Sequence, residues 1–134
     1  EKVEHLMPPS RHGLQGKKIL VLGRSFKEDC PDTRNSKAYP MMDALWMRGA
    51  DVYNFDPVAL DDHFEGGRGA TIIQDPAEAG PYDAIVFSLA HTVFRQQFDS
   101  ETLKSLAKKH APLIDMRGNF ESDDVKDWFS YWRP

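Results

Sequence analysis

The chain has 134 residues, of which 40% are apolar and 28% charged, enough for one core with little room for a second domain. Seventeen Lys and Arg against twenty-one Asp and Glu leave a net charge of −4, which argues against a dedicated nucleic-acid binder. No apolar run nears the roughly 20 residues that span a bilayer, and the one cysteine, Cys30, excludes an internal disulfide or a cysteine-based zinc site.

The start, Glu1 to His5, lacks the apolar stretch of a secretory leader. The expectation is a soluble, cytoplasmic domain, and a first residue of Glu instead of Met reads as a piece of something larger. Residues 1–16 are punctuated by Pro8, Pro9, Ser10, Gly13 and Gly16 and read as a linker or docking arm, with the domain proper over 17–134. Ile19-Leu20-Val21-Leu22-Gly23 is an unalternated apolar run, the signature of a strand buried on both faces of a parallel sheet. After the polar loop Arg24–Asn35, Ser36 can cap a helix over Lys37–Arg48, with Tyr39, Met42 and Leu45 at helical spacing and Gly49 as its stop. Pro40 falls in the first turn, where its missing N–H is tolerated. Asp51–Phe55 alternates as a second strand and closes on Asp56-Pro57.

Further on, Ala70–Ile73 reads as a short edge strand and Asp75–Gly80 as a one-turn helix. Asp83–Leu89 is a second strong buried strand. Helices are expected over Thr92–Gln97 and Ser100–His110, the latter capped by Ser100, and Leu113–Met116 is a last core strand. The aromatic tail Trp128–Trp132 serves as an edge strand or packs over the sheet. The predicted fold is therefore α/β, an open, mostly parallel Rossmann-like sheet of five or six strands with helices on both faces.

In such sheets ligands sit beyond the carboxyl ends of the strands, near the point where strand order reverses. Three segments qualify: Arg24–Ser36, Ala90-His91 and Asp115–Asn119. If they meet in space, Lys27, Arg34 and Arg117 surround one crevice, and clustered cations in an acidic chain call for an anion such as phosphate. The helix start near Ser36 would add N–H groups and a positive dipole end. The alternative is that Asp32, Asp56 and Asp115 neutralise these cations in surface ion pairs. The dinucleotide fingerprint is absent, because Ser25 and Glu28 stand where its later glycines would be, so no pyrophosphate cradle of the usual kind is expected.

Leu14 to Gly23, Phe26-Lys27 and Asp32-Thr33-Arg34-Asn35-Ser36 resemble the carboxy-terminal domain of the UDP-glucose/GDP-mannose dehydrogenase family. Asp56-Pro57, His91 with Phe94, and Asp115 with Arg117 continue the resemblance, which covers about residues 14–120. The Cys30-Pro31-Asp32 variant looks most like bacterial members acting on UDP-N-acetylhexosamines. Such enzymes oxidise the sugar C6 alcohol to a carboxylate in two NAD-dependent steps. Their catalytic cysteine and main NAD site lie in a preceding part of the polypeptide, so no catalytic residue and no metal is expected here.

The resemblance implies that Phe26, Lys27 and Arg117 bind the nucleotide sugar and that Arg34 reaches across to NAD. It implies as partners a UDP-sugar and the preceding domain, and a homodimer at full length. Each residue also has a plainer role: Phe26 as a plug over the sheet, Lys27 solvated, Arg34 paired with Asp32, Arg117 paired with Asp115. Cys30 lies beside two acidic residues, Glu28 and Asp29, instead of the base or helix N-terminus that a reactive thiolate needs, and reads as no nucleophile. His91 reads as a hydrogen-bonded structural histidine, and Asp56 as the residue that ends a strand and fixes the next loop. Arg24-Ser25 departs from the small or apolar residues usual in the family and should make the crevice more polar; Leu60–Gln74 carries no family landmark, and the tail after Asn119 is only loosely similar. The alternative function is a stand-alone, non-catalytic module that binds a nucleotide sugar or a partner.

Overall fold

The apolar run after Lys17 becomes strand β1 (Lys18–Leu22) at the centre of a six-stranded sheet. The structure is a computed structural model that describes residues 13–59 and 70–134. Helix α1 (Ala38–Met47) and strand β2 (Asp51–Phe55) follow, then β3 (Ala70–Ile72) and β4 (Ala84–Phe87). Helices α2 (Thr92–Gln97) and α3 (Ser100–Leu106), strand β5 (Pro112–Asp115), the short α4 (Ser122–Val125) and strand β6 (Ser130–Trp132) complete the chain. The strand order is β3-β2-β1-β4-β5-β6 and every pairing is parallel, so strand order reverses between β1 and β4.

Successive β1 side chains point to opposite layers, which is why the run does not alternate. Ile19 and Val21 pack with Tyr39, Met42 and Leu45 of α1, and with Val52, Val86 and Ile114. Leu20 and Leu22 face the other layer, with Phe87, Leu103, Leu106 and Leu113. Edge-on phenylalanine contacts thicken that second layer, Phe87 lying 5.7 Å from Phe94 and 5.9 Å from Phe98 between ring centres. Leu14 is fully buried in the first layer, so the segment ahead of β1 contributes to the core; residues 1–12 of the expected arm lie outside the described residues.

Helix α1 ends as the sequence indicates. Gly49 adopts φ 98°, and the Ala50 N–H donates to the Leu45 carbonyl while the Gly49 N–H donates to Trp46, a Schellman closure. Ser36 Oγ accepts from the Ala38 N–H at 3.1 Å from two residues before the helix; the N-cap position itself is Lys37, which makes no side-chain capping bond, so the expected cap stands one residue early. Three expectations need correction. Residues 75–79 form a bend and turns instead of a helix: the backbone closes in two separate three-residue steps, the Glu78 N–H to the Asp75 carbonyl and the Gly80 N–H to the Ala77 carbonyl, without a continuing helical ladder. The cap of α3 is Asp99, which accepts from the Thr102 N–H at 2.7 Å, while Ser100 is already helical. That helix stops at Leu106, short of His110, because Tyr82 exchanges backbone hydrogen bonds with Leu106 and Lys108 and draws Ala107 alongside the sheet. Among the described residues no helix is long and apolar enough to cross a membrane.

Candidate functional site

The two central strands, β1 and β4, end side by side where the strand order reverses. Gly23 (φ 105°) follows β1, and a Cβ built there would lie 2.8 Å from Ser88 Oγ and 3.1 Å from Leu89 Cβ. Ser88 Oγ bonds the Leu22 and Gly23 carbonyls and ties the two strand ends together. Above this seam opens a hollow of about 650 Å³. Its walls are Ser25 and Phe26 after β1, Asn35 to Ala38 and Met41 at the start of α1, Ser88-Leu89 after β4, and Met116-Arg117 after β5.

Phe26 is 53% exposed and Met116 41%, so the hollow offers an apolar wall to solvent. Arg117 faces them from the β5 end, its Nε 3.5 Å from Glu28 Oε2. The alternative role for Arg117, an ion pair with Asp115, does not occur. Asp115 is fully buried at the strand end and accepts from the Phe120 N–H, the Asn119 amide and the Tyr131 hydroxyl. Of the sequence-predicted residues, Phe26 and Arg117 share the hollow. Lys27 is exposed on the same loop but does not line it. Arg34 also lies outside the lining, clasped to the Asp32 carboxylate through two 3.0 Å bonds from Nε and Nη2, and stands 67% exposed. Asp32 and Glu28 thus accompany Arg34 and Arg117, while the hollow stays open between Phe26 and Arg117.

The loop that carries these residues has no helix or strand of its own, so its shape comes from a buried carboxylate. Asp56 Oδ2 accepts from the Arg24 N–H (2.7 Å), the Ser25 N–H (3.2 Å), Ser25 Oγ (3.1 Å) and His91 Nε2 (2.9 Å). Asp56 Oδ1 accepts from the Val58 and Ala59 N–H groups and shapes the turn after β2. Burial alone would raise this carboxyl; the His91 bond and the Arg24 and Val58 N–H groups outweigh it and hold it at about 2. Arg24 is buried and points away from the hollow, its Nη1 donating to Asn54 Oδ1 at 2.8 Å. The departure at Arg24-Ser25 therefore adds buried polarity behind the crevice, and only Ser25 reaches its lining.

This arrangement also bears on NAD. A dinucleotide cradle uses the free amides just after β1. Here the Arg24 and Ser25 N–H groups are already bound by Asp56, and Ser25 carries a side chain where the fingerprint needs glycine. The residues just after β1 therefore do not fit the pyrophosphate cradle of a dinucleotide fingerprint.

Sequence reasoning singled out Asp56 and His91 separately and missed that they meet. Asp56-Pro57 after one strand and a histidine after another were the available signals, and neither points to the other. Residues 20–122 match the UDP binding domain of the UDP-glucose/GDP-mannose dehydrogenase family. A UDP-N-acetyl-D-glucosamine 6-dehydrogenase of Pseudomonas aeruginosa is 30% identical over 110 residues, 82% of this chain and 26% of that protein. A UDP-glucose 6-dehydrogenase of Rhizobium meliloti (strain 1021) is 35% identical over 120 residues, 88% of this chain and 27% of its own length. The solved UDP-D-ManNAc dehydrogenase of Pyrococcus horikoshii shares the fold, with a TM-score of 0.68 at 23% identity over 90% of this chain and 26% of that one. The chain thus spans about a quarter of the length of the curated relatives it matches. On the long match through the β1 loop, the strand order and the relatives alike, the chain belongs to the UDP-glucose/GDP-mannose dehydrogenase family, as its UDP binding domain.

Proposed function

We propose that this chain is the C-terminal nucleotide-sugar-binding domain of an NAD-dependent UDP-sugar 6-dehydrogenase of the cytoplasm, which oxidises the C6 hydroxyl of its substrate to a carboxylate. The observation that carries this reading is the hollow at the β1–β4 reversal, walled by Phe26, Met116 and Arg117 and opening onto the start of α1, within a UDP binding domain. The apolar wall suits a base, and Arg117, Lys27 and the α1 N-terminus suit a diphosphate. In this reading the domain grips the nucleotide so that remote binding energy sets C6 against a cysteine in the preceding part of the polypeptide. NAD is held mainly by that part, and Arg34 is this domain's contribution to it. The isolated chain is then inactive, and the full-length enzyme works as a homodimer.

Titration of the chain with UDP-N-acetylglucosamine, followed by NMR, tests the reading. Binding on the order of millimolar is expected, because half the contacts are missing. Shifts should centre on Phe26, Lys27 and Arg117, and Lys27→Ala and Arg117→Ala should each weaken binding severalfold. Shifts confined to the β3 edge of the sheet would refute it.

A further inference from the structure

The loop from Arg24 to Ser36 must hold Phe26 and Lys27 in place, and its middle is fastened at one unusual residue. Asp29 adopts φ 58°, a conformation side-chain-bearing residues rarely take unless their surroundings enforce it. Its N–H donates to His91 Nδ1 at 2.8 Å, and its carboxylate accepts from the Thr92 N–H (2.8 Å) and Oγ1 (2.7 Å). His91 is fully buried, with its ring 5.0 Å from that of Phe94. Because Nδ1 accepts the Asp29 N–H, the ring proton sits on Nε2 and is donated to Asp56 at 2.9 Å. One ring thus joins the carboxylate that anchors the loop's first two residues to the amide at the loop's middle, with Phe26 and Lys27 between them.

We propose that His91 is a positioning residue for the nucleotide site, its Nδ1 acceptor setting Phe26 in the wall of the hollow, with Lys27 beside it on the loop, through Asp29. The assignment rests on the reading that this hollow takes a UDP group. Two substitutions separate the bonds of the ring. His91→Gln can still reach Asp56 with a donor but leaves no acceptor for the Asp29 N–H. His91→Asn places an acceptor near Nδ1 and leaves Asp56 without its donor.

The chain and both variants are titrated with uridine 5′-diphosphate and unfolded thermally. Loss of the Asp29 bond in His91→Gln should weaken binding about tenfold, the equivalent of roughly 1.4 kcal/mol. His91→Asn should stay within about threefold of the parent while being the less stable variant, since it has lost the bond to a charged group. Affinity and stability then rank in opposite orders, which a histidine serving packing alone would not produce. Affinities that follow the thermal midpoints overturn the assignment while leaving the proposed function standing. A parent chain that ignores millimolar uridine 5′-diphosphate overturns both. The parent also gives a reading should a variant fail to fold. Its Asp29 amide should exchange at least about tenfold more slowly than in an unstructured peptide, and ring nitrogen spectra should show Nδ1 unprotonated. An unprotected Asp29 amide or a proton on Nδ1 overturns the assignment.

Discussion

Asp56→Asn removes one negative charge and leaves the side chain's shape almost unchanged. Four donors converge on Oδ2, and two more reach Oδ1. An amide offers one acceptor and one NH₂, so one of these sets must face a donor. A carboxyl held at about 2 against an ordinary 3.8 contributes about 2 kcal/mol of folding stability at neutral pH. Donors left facing donors in a buried site add roughly 1–2 kcal/mol, so Asp56→Asn should cost about 3–4 kcal/mol at pH 7. A domain of this size has roughly 5–15 kcal/mol to lose, so the variant should remain folded at 25 °C.

Because the folded-state value is depressed, this stabilisation is present above the unfolded value near 3.8 and is lost as pH falls toward 2. The variant has no proton to take up at this position. The gap between the two proteins should therefore narrow by about 1 kcal/mol between pH 7 and pH 3. Urea unfolding followed by circular dichroism at the two pH values measures it. A gap below about 1 kcal/mol at pH 7, or one that pH does not change, would refute the view that this carboxylate is what orders the loop.

Two further outcomes test the site's frame and its periphery. Gly23→Ala puts a methyl group 2.8 Å from Ser88 Oγ at φ 105° and should lower stability by about 2–4 kcal/mol, read as a fall of roughly 10 °C in Tm; an unchanged Tm would mean that β1 and β4 do not approach this closely. Arg34→Ala removes an exposed pair with Asp32 and should leave Tm unchanged. In the full-length dehydrogenase proposed above, the same change should raise the KM for NAD more than that for the sugar nucleotide, and the reverse order would contradict the role proposed for Arg34.

The amino-acid sequence by itself determined the layers of this fold, because burial on both faces leaves a local mark. Ile19 to Leu22 and Ala84 to Phe87 could be read as central parallel strands without knowing their neighbours, and Gly49 marked the end of α1 by the conformation it permits. Helix α4 left no such mark: its four residues bury only Val125, too few for any periodicity to show. The candidate site was half legible. Phe26 and Arg117 could be placed near one crevice because strand ends of a parallel sheet converge there.

Only the tertiary structure decided which charges meet. Asp115 and Arg117 are two residues apart, yet Asp115 turns inward to Tyr131 and Arg117 outward to Glu28, since the strand ends between them and the chain leaves the sheet. Asp56, Ser25, Asp29 and His91 come from three post-strand loops and are brought together by parallel pairing of β1 with β2 and β4. Hydrogen bonds between residues 31 to 62 positions apart follow from how strands are ordered in the sheet, and strand order leaves no periodic trace along the chain.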